Sequence, residues 1–487
     1  MKTYTNIYRV ILLGVGLSCL TTSCKKDFSE INTNPNTSEF ALPQTLLAPS
    51  LTKIVTANSN RSQRLTNELM QVTVNMGDGD GKIFRYQILR SEADYLWNSW
   101  YVELTNLKDI YKGGEDNQNP SYMGVSLICQ AWVYSMLTDT YGNVPFTNSN
   151  KGGEGNFTPT FDQQSDIYTG IFQMLEQANT LLSTANAATN AIKGASDPVF
   201  GGDRARWRKF GNALYLRLLM RVSAKAETGA VAKIKEIVDT NPANYPMMVG
   251  NEDSAVLRWT GIAPYVSPFA AWRDADWYTP KLSSFFVNNL NEWSDPRIAR
   301  WATVADGEYA GIPSGYAPGQ AQEGKSTFPV ALMTEPLLGN ILNYAELQLT
   351  LAEAAAKGYI SNKTAQSYYE AGVTSGITLW GYTVPANYLT FDKIKWNDSY
   401  TLAQKMSQIH LQKYYALFFT DLEQWFEYRR TGFPVLPKGA GLSNGGVMPA
   451  RLNYPVYVQA ANSENYQSAV AAQGADLIST QVWWQKR

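Results

Sequence analysis

The stretch that decides the predicted fold is residues 342–380, LNYAELQLTLAEAAAKGYISNKTAQSYYEAGVTSGITLW. Apolar residues recur at helical spacing over 342–357 and again over 364–379, which predicts two helices separated by a short turn. Small alanines end the first helix, and Tyr368 and Tyr369 follow in the second, so that the two helices can pack closely. This pattern is typical of one tetratricopeptide-type helical hairpin.

Further helices are predicted on both sides of this hairpin by the same periodicity. The apolar stripes lie at 97–111, 123–134, 167–182, 207–222 and 402–429. The first two stripes indicate an antiparallel pair, but no clean 34-residue repeat runs through the chain. The sequence therefore predicts an all-α fold whose helices are joined by long loops.

Three segments lack helical periodicity and are too long to be ordinary connections: 59–95, 240–340 and 380–400. Loops longer than about 12 to 15 residues are usually functional or disordered. These segments are rich in tryptophan and tyrosine, whereas disordered segments are poor in aromatic residues. We therefore expect ordered loops that serve a function.

The N-terminus reads as a lipoprotein export signal that ends in LTTSC at residues 20–24. Lys2 and Arg9 precede an apolar core that is too short to span a bilayer, which is typical of a signal peptide. A cysteine directly after the cleavage site offers its thiol to a diacylglycerol. We expect a signal peptide at 1–23, a lipid on Cys24 with a polar tether to residue 45, and a single domain over 46–487.

Charge and cysteine content exclude two classes of protein. The net charge is −1, and the charged residues are spread evenly, so that no basic surface for nucleic acid is predicted. Of the three cysteines, Cys19 leaves with the signal peptide and Cys24 is acylated. Cys129 then remains alone, which excludes an internal disulfide, and its apolar neighbours predict a buried thiol.

Two short motifs match catalytic patterns by chance. Residues 319–326, GQAQEGKS, fit the P-loop expression, but glycines and prolines flank them where a strand and a helix are needed. Residues 441–445, GLSNG, fit the nucleophile-elbow pattern. A triad of that kind needs a histidine after the serine, and the only histidine, His410, precedes it. We expect neither ATP binding nor a serine nucleophile.

The remaining ionisable candidates have a structural interpretation. His410 lies on a predicted helix between apolar residues, which indicates a hydrogen-bonded structural histidine. Asp421, Glu423 and Glu427 could serve as glycosidase carboxylates, but the arginines that follow them favour ordinary surface ion pairs. No metal or cofactor is predicted from these residues.

Asn75, Asp78 and Asp80 resemble half of a calcium-binding loop. The EF-hand template fails, because placing Gly81 at its sixth position puts Met76 first. An acidic turn is the favoured interpretation. A contact with calcium or with sugar hydroxyls is the alternative.

Several longer motifs resemble those of the SusD/RagB family of surface lipoproteins. In the first three quarters of the chain they are YGNVPF at 141–146, WRKFGNALYLRLLMRV at 207–222, DPR at 295–297 and AELQLTLAEAAAKG at 345–358. In the C-terminal part they are QKYYALFFTDLEQWFEYRRTGFPVL at 412–436, MPARLNYPVYVQAANSENYQSAV at 448–470 and VWW at 482–484. The motifs occur in family order, and the resemblance extends from Cys24 to the C-terminus. They are most similar to the SusD-like branch, starch-binding associated with the outer membrane.

The resemblance implies a fold built on four tetratricopeptide-like helix pairs, with irregular loops that make the ligand face. It also implies a protein without enzymatic activity or cofactor, anchored by its lipid to the exterior of the outer membrane. Members of this family cover a SusC-type TonB-dependent transporter and capture oligosaccharide for import. A peptide-capturing lid of the RagB type and a surface glycoside hydrolase remain as alternatives.

The family motifs mark no binding residues, so these are predicted from chemistry. A sugar ring stacks its apolar face on an aromatic ring, while its hydroxyls need polar partners. The densest run of this kind is YVSPFAAWRDADWY at 265–278. The predicted ligand-binding residues are Tyr265, Trp272, Arg273, Asp274, Trp277 and Tyr278, supplemented by Tyr316 and by Asn75, Asp78 and Asp80. The two tryptophans could instead pack the loop onto the helices.

Four other aromatic residues, Trp425, Phe426, Trp483 and Trp484, follow packing patterns and are predicted to lie in the core.

The lipid anchor gives a direct test. Replacing Cys24 with alanine should leave the protein unacylated, because no other residue at the signal-peptide junction carries a thiol. We expect Cys24→Ala to move from the membrane fraction to the aqueous phase in detergent partitioning. Normal membrane retention of this variant would contradict the prediction.

Overall fold

The computed structural model describes residues 42–186, 188–320 and 322–486. The chain from Leu42 onward forms one compact unit. The predicted signal peptide, the lipidation site Cys24 and most of the predicted tether lie outside the described residues. The first helix begins at Pro43, within the predicted tether, and was not predicted from the sequence.

The fold is helical, as predicted. The helices are α1 Pro43–Arg61, α2 Glu92–Asp116, α3 Pro120–Tyr141, α4 Gln164–Thr184, α5 Arg204–Arg221, α6 Ala230–Lys235, α7 Asp274–Tyr278, α8 Ser284–Glu292, α9 Ile298–Trp301, α10 Tyr344–Ala356, α11 Ala365–Thr378, α12 Leu402–Ala416, α13 Glu423–Thr431, α14 Val456–Ala461 and α15 Ser463–Gln473. A π-helical turn, Ser62–Thr66, and a short helix, Asn67–Leu69, extend α1. Helices α1 to α5 each pack against the next, α5 packs against α10, and α10 packs against α11 and α12.

The hairpin predicted at 342–380 corresponds to α10 and α11. Asn343 caps α10 by accepting a hydrogen bond of 2.8 Å from the Glu346 N–H, and Thr364 caps α11 in the same way. The two helices are in close contact at Gly372, where an added Cβ would lie 2.6 Å from the Leu349 side chain. The hairpin therefore depends on a small residue at this crossing.

Within the described residues, four short strands join distant loops. β1 Thr73–Val74 pairs antiparallel with β3 Lys281–Leu282, and β2 Ala255–Val256 pairs antiparallel with β4 Asn340–Leu342. Among the described helices, none combines the length and the apolar character that a membrane span requires.

The apolar stripe over 402–429 is not one helix. Helix α12 ends at Ala416 and α13 begins at Glu423, and between them Phe419 and Asp421 adopt left-handed backbone angles. The Asp421 carboxylate accepts hydrogen bonds from Asn58 Nδ2 at 2.7 Å and from Trp132 Nε1 at 2.9 Å. The apolar periodicity is similar on both sides of the break and therefore does not reveal it. The contacts of Asp421 with two distant helices decide the local structure instead.

A buried ion-pair network centres on α5. Arg217 lies 2.6 Å from Glu346, and Arg221 lies 2.6 Å from Asp139 and also contacts Glu423. Glu423 and Glu427 were predicted to form surface pairs, but both are buried. The prediction was wrong because the sequence shows the neighbouring arginines and does not show which helices cover them.

His410 is buried, as expected of a structural histidine, but it is not hydrogen-bonded. Its Nε2 atom lies 3.4 Å from Glu353 Oε2, and neither ring nitrogen hydrogen-bonds any described residue. Burial lowers the pKa of His410 to about 4, so the ring is neutral at pH 7. Cys129 is buried, as predicted, and burial raises the pKa of its thiol.

The network predicts a large loss of stability in one variant. Arg221→Met leaves the buried Asp139 without an ion-pair partner among the described residues, and it leaves Glu423 with only Arg217, at 3.7 Å. We expect the free energy of unfolding to fall by about 3 to 5 kcal/mol, measured by denaturant titration. The control is Lys112→Met, which breaks an exposed pair with Asp116 and should change little. Equal effects of the two substitutions would contradict a supporting role for the network.

Candidate functional site

Strand pairing brings most of the predicted ligand-binding segments together. The β1–β3 register places Val74 opposite Lys281, so the turn that follows β1 lies beside the chain that leads from Tyr278 into β3. Ser283 bridges to Ile312, which adds the segment that carries Tyr316. We call the surface made by residues 75–85, 272–281, 312–320 and 437–446 the loop face.

Arg85 holds three of these four segments. Its Nε donates to the Tyr316 carbonyl at 2.8 Å, its Nη2 donates to Asp78 Oδ1 at 3.2 Å, and its own carbonyl accepts from the Ser443 N–H at 2.8 Å. The guanidinium also lies 4.8 Å from the ring centroid of Phe84. Arg85 is buried, and a charge is tolerated there because these groups replace its hydration. The sequence does not predict this role, because a single arginine within GKIFRY at 81–86 belongs to no motif.

Tyr316 packs in the interior behind the loop face and is not accessible to a ligand. Its ring lies 5.1 Å from that of Phe84 and 4.9 Å from the Arg85 guanidinium, and its hydroxyl accepts from the Gly77 N–H at 3.3 Å. Only 6% of the residue is exposed. Its predicted ligand contact is therefore corrected to a packing role.

The acidic turn after β1 is open to solvent. Asp78 and Asp80 are exposed, and Asn75 is half-buried at the end of the strand. The Asp78 carboxylate pairs with Arg85 at 3.2 Å while 59% of its side chain remains exposed. The turn can therefore offer acceptors to sugar hydroxyls, with one carboxylate already oriented by a buried cation.

Trp277 belongs to the core, contrary to its predicted ligand contact. The residue is fully buried, and its Nε1 donates to the Pro329 carbonyl at 3.0 Å. Its ring lies between those of Phe269 and Phe328, with centroids 5.0 and 5.5 Å away. Trp272 is half-buried and packs edge-on against Phe269, so part of its ring remains accessible.

The rest of the 265–278 run divides between two surfaces. Arg273 and Asp276 form a bidentate pair on the exterior with distances of 2.8 and 2.7 Å, and Asp274 is exposed beside them. Tyr278, three positions before the start of β3, is 43% exposed and is the most accessible aromatic side chain of the loop face. Tyr265 is half-buried, and its burial, together with the Asp197 carboxylate outside the loop face, raises the pKa of its hydroxyl.

A buried carboxyl group beneath the loop face fixes its central turn. Glu68 accepts a hydrogen bond of 3.1 Å from the Phe84 N–H, at the 3₁₀ turn Ile83–Arg85. Burial raises the pKa of Glu68 to about 8, against the opposing effect of that N–H group and of Arg64. The group is therefore largely protonated at pH 7 and holds the turn without a buried charge.

The carboxylates considered for catalysis are already paired. Asp421, Glu423 and Glu427 are buried. Arg221 forms ion pairs with Glu423 and Glu427. Asn58 and Trp132 donate hydrogen bonds to Asp421. They cannot flank a glycosidic bond in this arrangement, because a sugar chain does not reach them.

One cluster has the ligand atoms for a metal ion but the wrong surroundings. Glu353, His410 and Glu427 place a ligand atom each within 4.8 Å of one another. Arg430 donates to Glu353 at 2.6 Å and to Glu427 at 2.7 Å, and Lys413 donates to Glu427 at 2.9 Å. These cations compensate both carboxylates, so a divalent ion would meet positive charge. The cluster is an ion-pair network.

The two motif matches have the structures expected of loops. After GQAQEGKS the chain continues without a helix to a 3₁₀ turn at Val330–Thr334, and Ser326 is buried, bonded to Ala310. The GLSNG segment ends in a 3₁₀ turn, Asn444–Gly446, and packs on the Tyr316 segment. Neither provides the strand and helix that a phosphate loop or a nucleophile elbow requires.

Of the aromatic residues assigned to the core, three are buried and one is not. Trp425, Phe426 and Trp484 are buried, and Trp425 Nε1 donates to the Pro449 carbonyl at 2.8 Å. Trp483 is half-buried and lines an open groove of about 690 Å³ beside α4 and α5. The prediction that Trp483 lies in the core is therefore only partly correct, since its ring packs against that of Tyr168 but also lines the groove.

Solved structures with the same fold include proteins that bind glycans. A SusD homolog from Bacteroides uniformis ATCC 8492 is 24% identical, with a TM-score of 0.80, and the alignment covers 91% of this chain and 99% of that one. A chitin-binding protein is 25% identical, with a TM-score of 0.75 and the same coverage. A chitin-binding SusD homolog from Flavobacterium johnsoniae is 23% identical, with a TM-score of 0.79, covering 91% of this chain and 98% of that one. No curated protein matches the chain.

The sequence itself matches a family model over residues 35–455, which is most of its length. That region includes the helices of the scaffold up to α13 and all of the loop face. This protein belongs to the SusD-like family described as "Starch-binding associating with outer membrane".

Proposed function

We propose that this protein captures oligosaccharide at the cell surface and passes it to a SusC-type TonB-dependent transporter of the outer membrane. The observation that carries the proposal is the family match over 35–455, together with a chitin-binding relative that is 25% identical over 91% of the chain. Lipidation at Cys24 would anchor the protein in the outer membrane, facing the exterior. No catalytic role is proposed, because the candidate carboxylates are buried in ion pairs and hydrogen bonds.

The loop face supplies the chemistry that the proposal needs. Tyr278 offers an exposed ring for the apolar face of a sugar, and Asp78 and Asp80 offer acceptors for its hydroxyls. Arg273 and Asp274 add exposed polar groups at the end of the same segment, and Trp272 adds a partly open ring. Trp277 and Tyr316 keep the segments in place beneath them.

Delivery to a transporter requires that binding be reversible. A site with one well-exposed aromatic ring and solvent-exposed acceptors buries little of a glycan, which favours modest affinity and rapid release. An open loop face suits a protein that hands its ligand on, whereas a hydrolase needs two carboxylates about 5 to 9.5 Å apart that enclose the scissile bond.

Tyr278→Ala tests the glycan-capture proposal. We expect the variant to lose about 1 to 3 kcal/mol of binding free energy, by analogy with stacking on aromatic side chains, which is about 5- to 150-fold in affinity. The measurement is calorimetric titration with chitohexaose and maltohexaose. Because the ring is 43% exposed, the melting temperature should change little.

Phe391→Ala is the matched control, since Phe391 is 37% exposed in a segment outside the loop face. Its affinity should equal that of the wild type. Reducing ends released from either glycan would indicate a hydrolase and would count against the proposal, as would undiminished binding by Tyr278→Ala. Binding of peptides and of neither glycan would support the peptide-capturing alternative.

Glu68 gives the protein a predictable pH dependence. Its pKa is raised from 4.5 to about 8 on folding, so the protonated form stabilises the fold fully below pH 4.5, and this stability is lost as the pH rises towards 8. Glu68→Gln keeps the bond to Phe84 and cannot ionise. We expect the variant and the wild type to melt at the same temperature at pH 5. At pH 8 the variant should melt at a higher temperature, because its free energy of unfolding exceeds that of the wild type by at most about 1.4 kcal/mol per unit of pKa shift. If the variant and the wild type have the same melting temperature at pH 8 as well as at pH 5, Glu68 does not titrate in this range.

A further inference from the structure

Two lysine side chains of the loop face are held by backbone carbonyl groups. Lys281 Nζ donates to the Tyr278 carbonyl at 3.1 Å, and Lys82 Nζ donates to the Met76 carbonyl at 3.3 Å. No other described residue accepts a hydrogen bond from either ammonium group. Each bond uses one of the three N–H donors of an ammonium group, so donors remain on both lysines for a ligand.

Strand pairing places the two ammonium groups on one surface. Val74 lies opposite Lys281 in the antiparallel β1–β3 pair. Met76 follows Val74 by two positions, and Tyr278 precedes Lys281 by three, so the two carbonyls lie at the same end of this ladder. The acidic turn and the exposed ring of Tyr278 emerge from that end. The lysines are therefore part of the surface that is proposed to bind the glycan.

Neither lysine forms an ion pair with a described carboxylate. Asp78 is paired with Arg85, and Asp276 is paired with Arg273. The loop face as a whole has a net charge of +1. Its cations are Lys82, Arg85, Arg273, Lys281 and Lys438, and its anions are Asp78, Asp80, Asp274 and Asp276.

Burial distinguishes the two lysines from the acids that have no ion pair. Lys82 and Lys281 are half-buried, and burial lowers the pKa of Lys281. A charge that has lost part of its water gains more from an opposite charge than a fully hydrated one does. Asp80 and Asp274 are exposed, so water and salt screen them from an anion nearby. The loop face therefore favours an anionic group beside its lysines.

The charge lies next to the ring that is proposed to stack on a sugar. Lys281 bonds to the backbone of Tyr278, whose side chain is 43% exposed. An acidic sugar has an apolar ring face and carries its carboxylate or sulfate at the edge of the ring. Stacking of that face on Tyr278 brings the charged edge within reach of Lys281.

We propose that the loop face selects acidic glycans, with Lys281 and Lys82 donating to a carboxylate or sulfate of the sugar that stacks on Tyr278. This proposal rests on the proposed function and names the ligand class of the same site. A glutamate peptide offers carboxylates but has no apolar ring face for Tyr278. An acidic glycan therefore fits this surface better.

The test is calorimetric titration of the full-length protein with acidic and neutral oligosaccharides. Tetragalacturonate carries carboxylates, a κ-carrageenan tetrasaccharide carries sulfates, and chitohexaose and maltohexaose are neutral. We expect one of the acidic ligands to bind about tenfold more tightly than either neutral one. Lys281→Met and Lys82→Met should each weaken acidic binding by about 3- to 10-fold, because a half-buried charge pair contributes more than an exposed one and less than a buried one. Both variants should keep the wild-type affinity for the neutral glycans.

Two further variants control for the loss of a lysine side chain. Lys281→Arg keeps the charge and should keep most of the affinity for the acidic ligand. Lys225→Met is the matched control, since Lys225 is half-buried outside the loop face and donates to the Lys486 carbonyl at 2.6 Å. Its affinity for all four ligands should equal that of the wild type.

The outcomes separate this proposal from the proposed function. If Tyr278→Ala weakens binding while acidic and neutral glycans bind equally well, glycan capture stands and acidic selection is overturned. Equal losses of acidic and neutral binding in Lys281→Met would show that the lysine only positions Tyr278, which also overturns the selection. Binding of hexaglutamate as tightly as the acidic glycans would overturn the assignment to a glycan. Failure of the wild type to bind any of the four oligosaccharides overturns both proposals.

Discussion

The arginine pair on α5 is the interaction on which the rest of the structure depends. Arg217 and Arg221 lie one turn apart, and their fully buried guanidiniums reach carboxylates on α3, α10 and α13. Burying a charge costs several kcal/mol per ion unless every partner is in place, so the network tolerates only one relative position of these helices. It fixes the register of helices whose paired residues lie 82 to 202 positions apart in sequence, which apolar packing alone specifies less strictly.

A scaffold held in this way leaves its connecting segments free to build surfaces. The loop face repeats the same physical device on a smaller scale, since the buried Arg85 joins the segments that carry Asp78, Tyr316 and Ser443. Beneath it Glu68 is held largely protonated, so that one buried cation and one neutral acid support the turn. The large aromatic residues divide accordingly. Trp277, which fills space between segments, is buried and hydrogen-bonded, whereas Tyr278 beside it is exposed.

The sequence predicts the α10–α11 hairpin to within two residues at each end, because a helix that buries one face must repeat its apolar residues every 3.6 positions. It does not predict the break at 417–422, where contacts with Asn58 and Trp132 decide the backbone. For the same reason it places Glu423 and Glu427 on the surface and Trp277 on the ligand face. Apolar periodicity shows which face of a helix packs against its neighbour. It does not show whether another segment, from a distant part of the chain, covers the remaining face. Arg85 carries no local pattern at all.

A modest aromatic surface has a consequence for affinity. Each exposed ring contributes at most a few kcal/mol, and a single stacked sugar dissociates quickly. A longer glycan that stacks on Tyr278 and also reaches the acceptors of Asp78 and Asp80 makes its later contacts at a high effective concentration, so its affinity exceeds that of any single contact. This gain requires that the segments of the loop face keep fixed positions while the ligand bridges them. The buried Arg85 and the β1–β3 pairing meet that requirement, since they join these segments to one another. Short saccharides would then bind weakly and long ones well, although no single contact on the protein binds tightly.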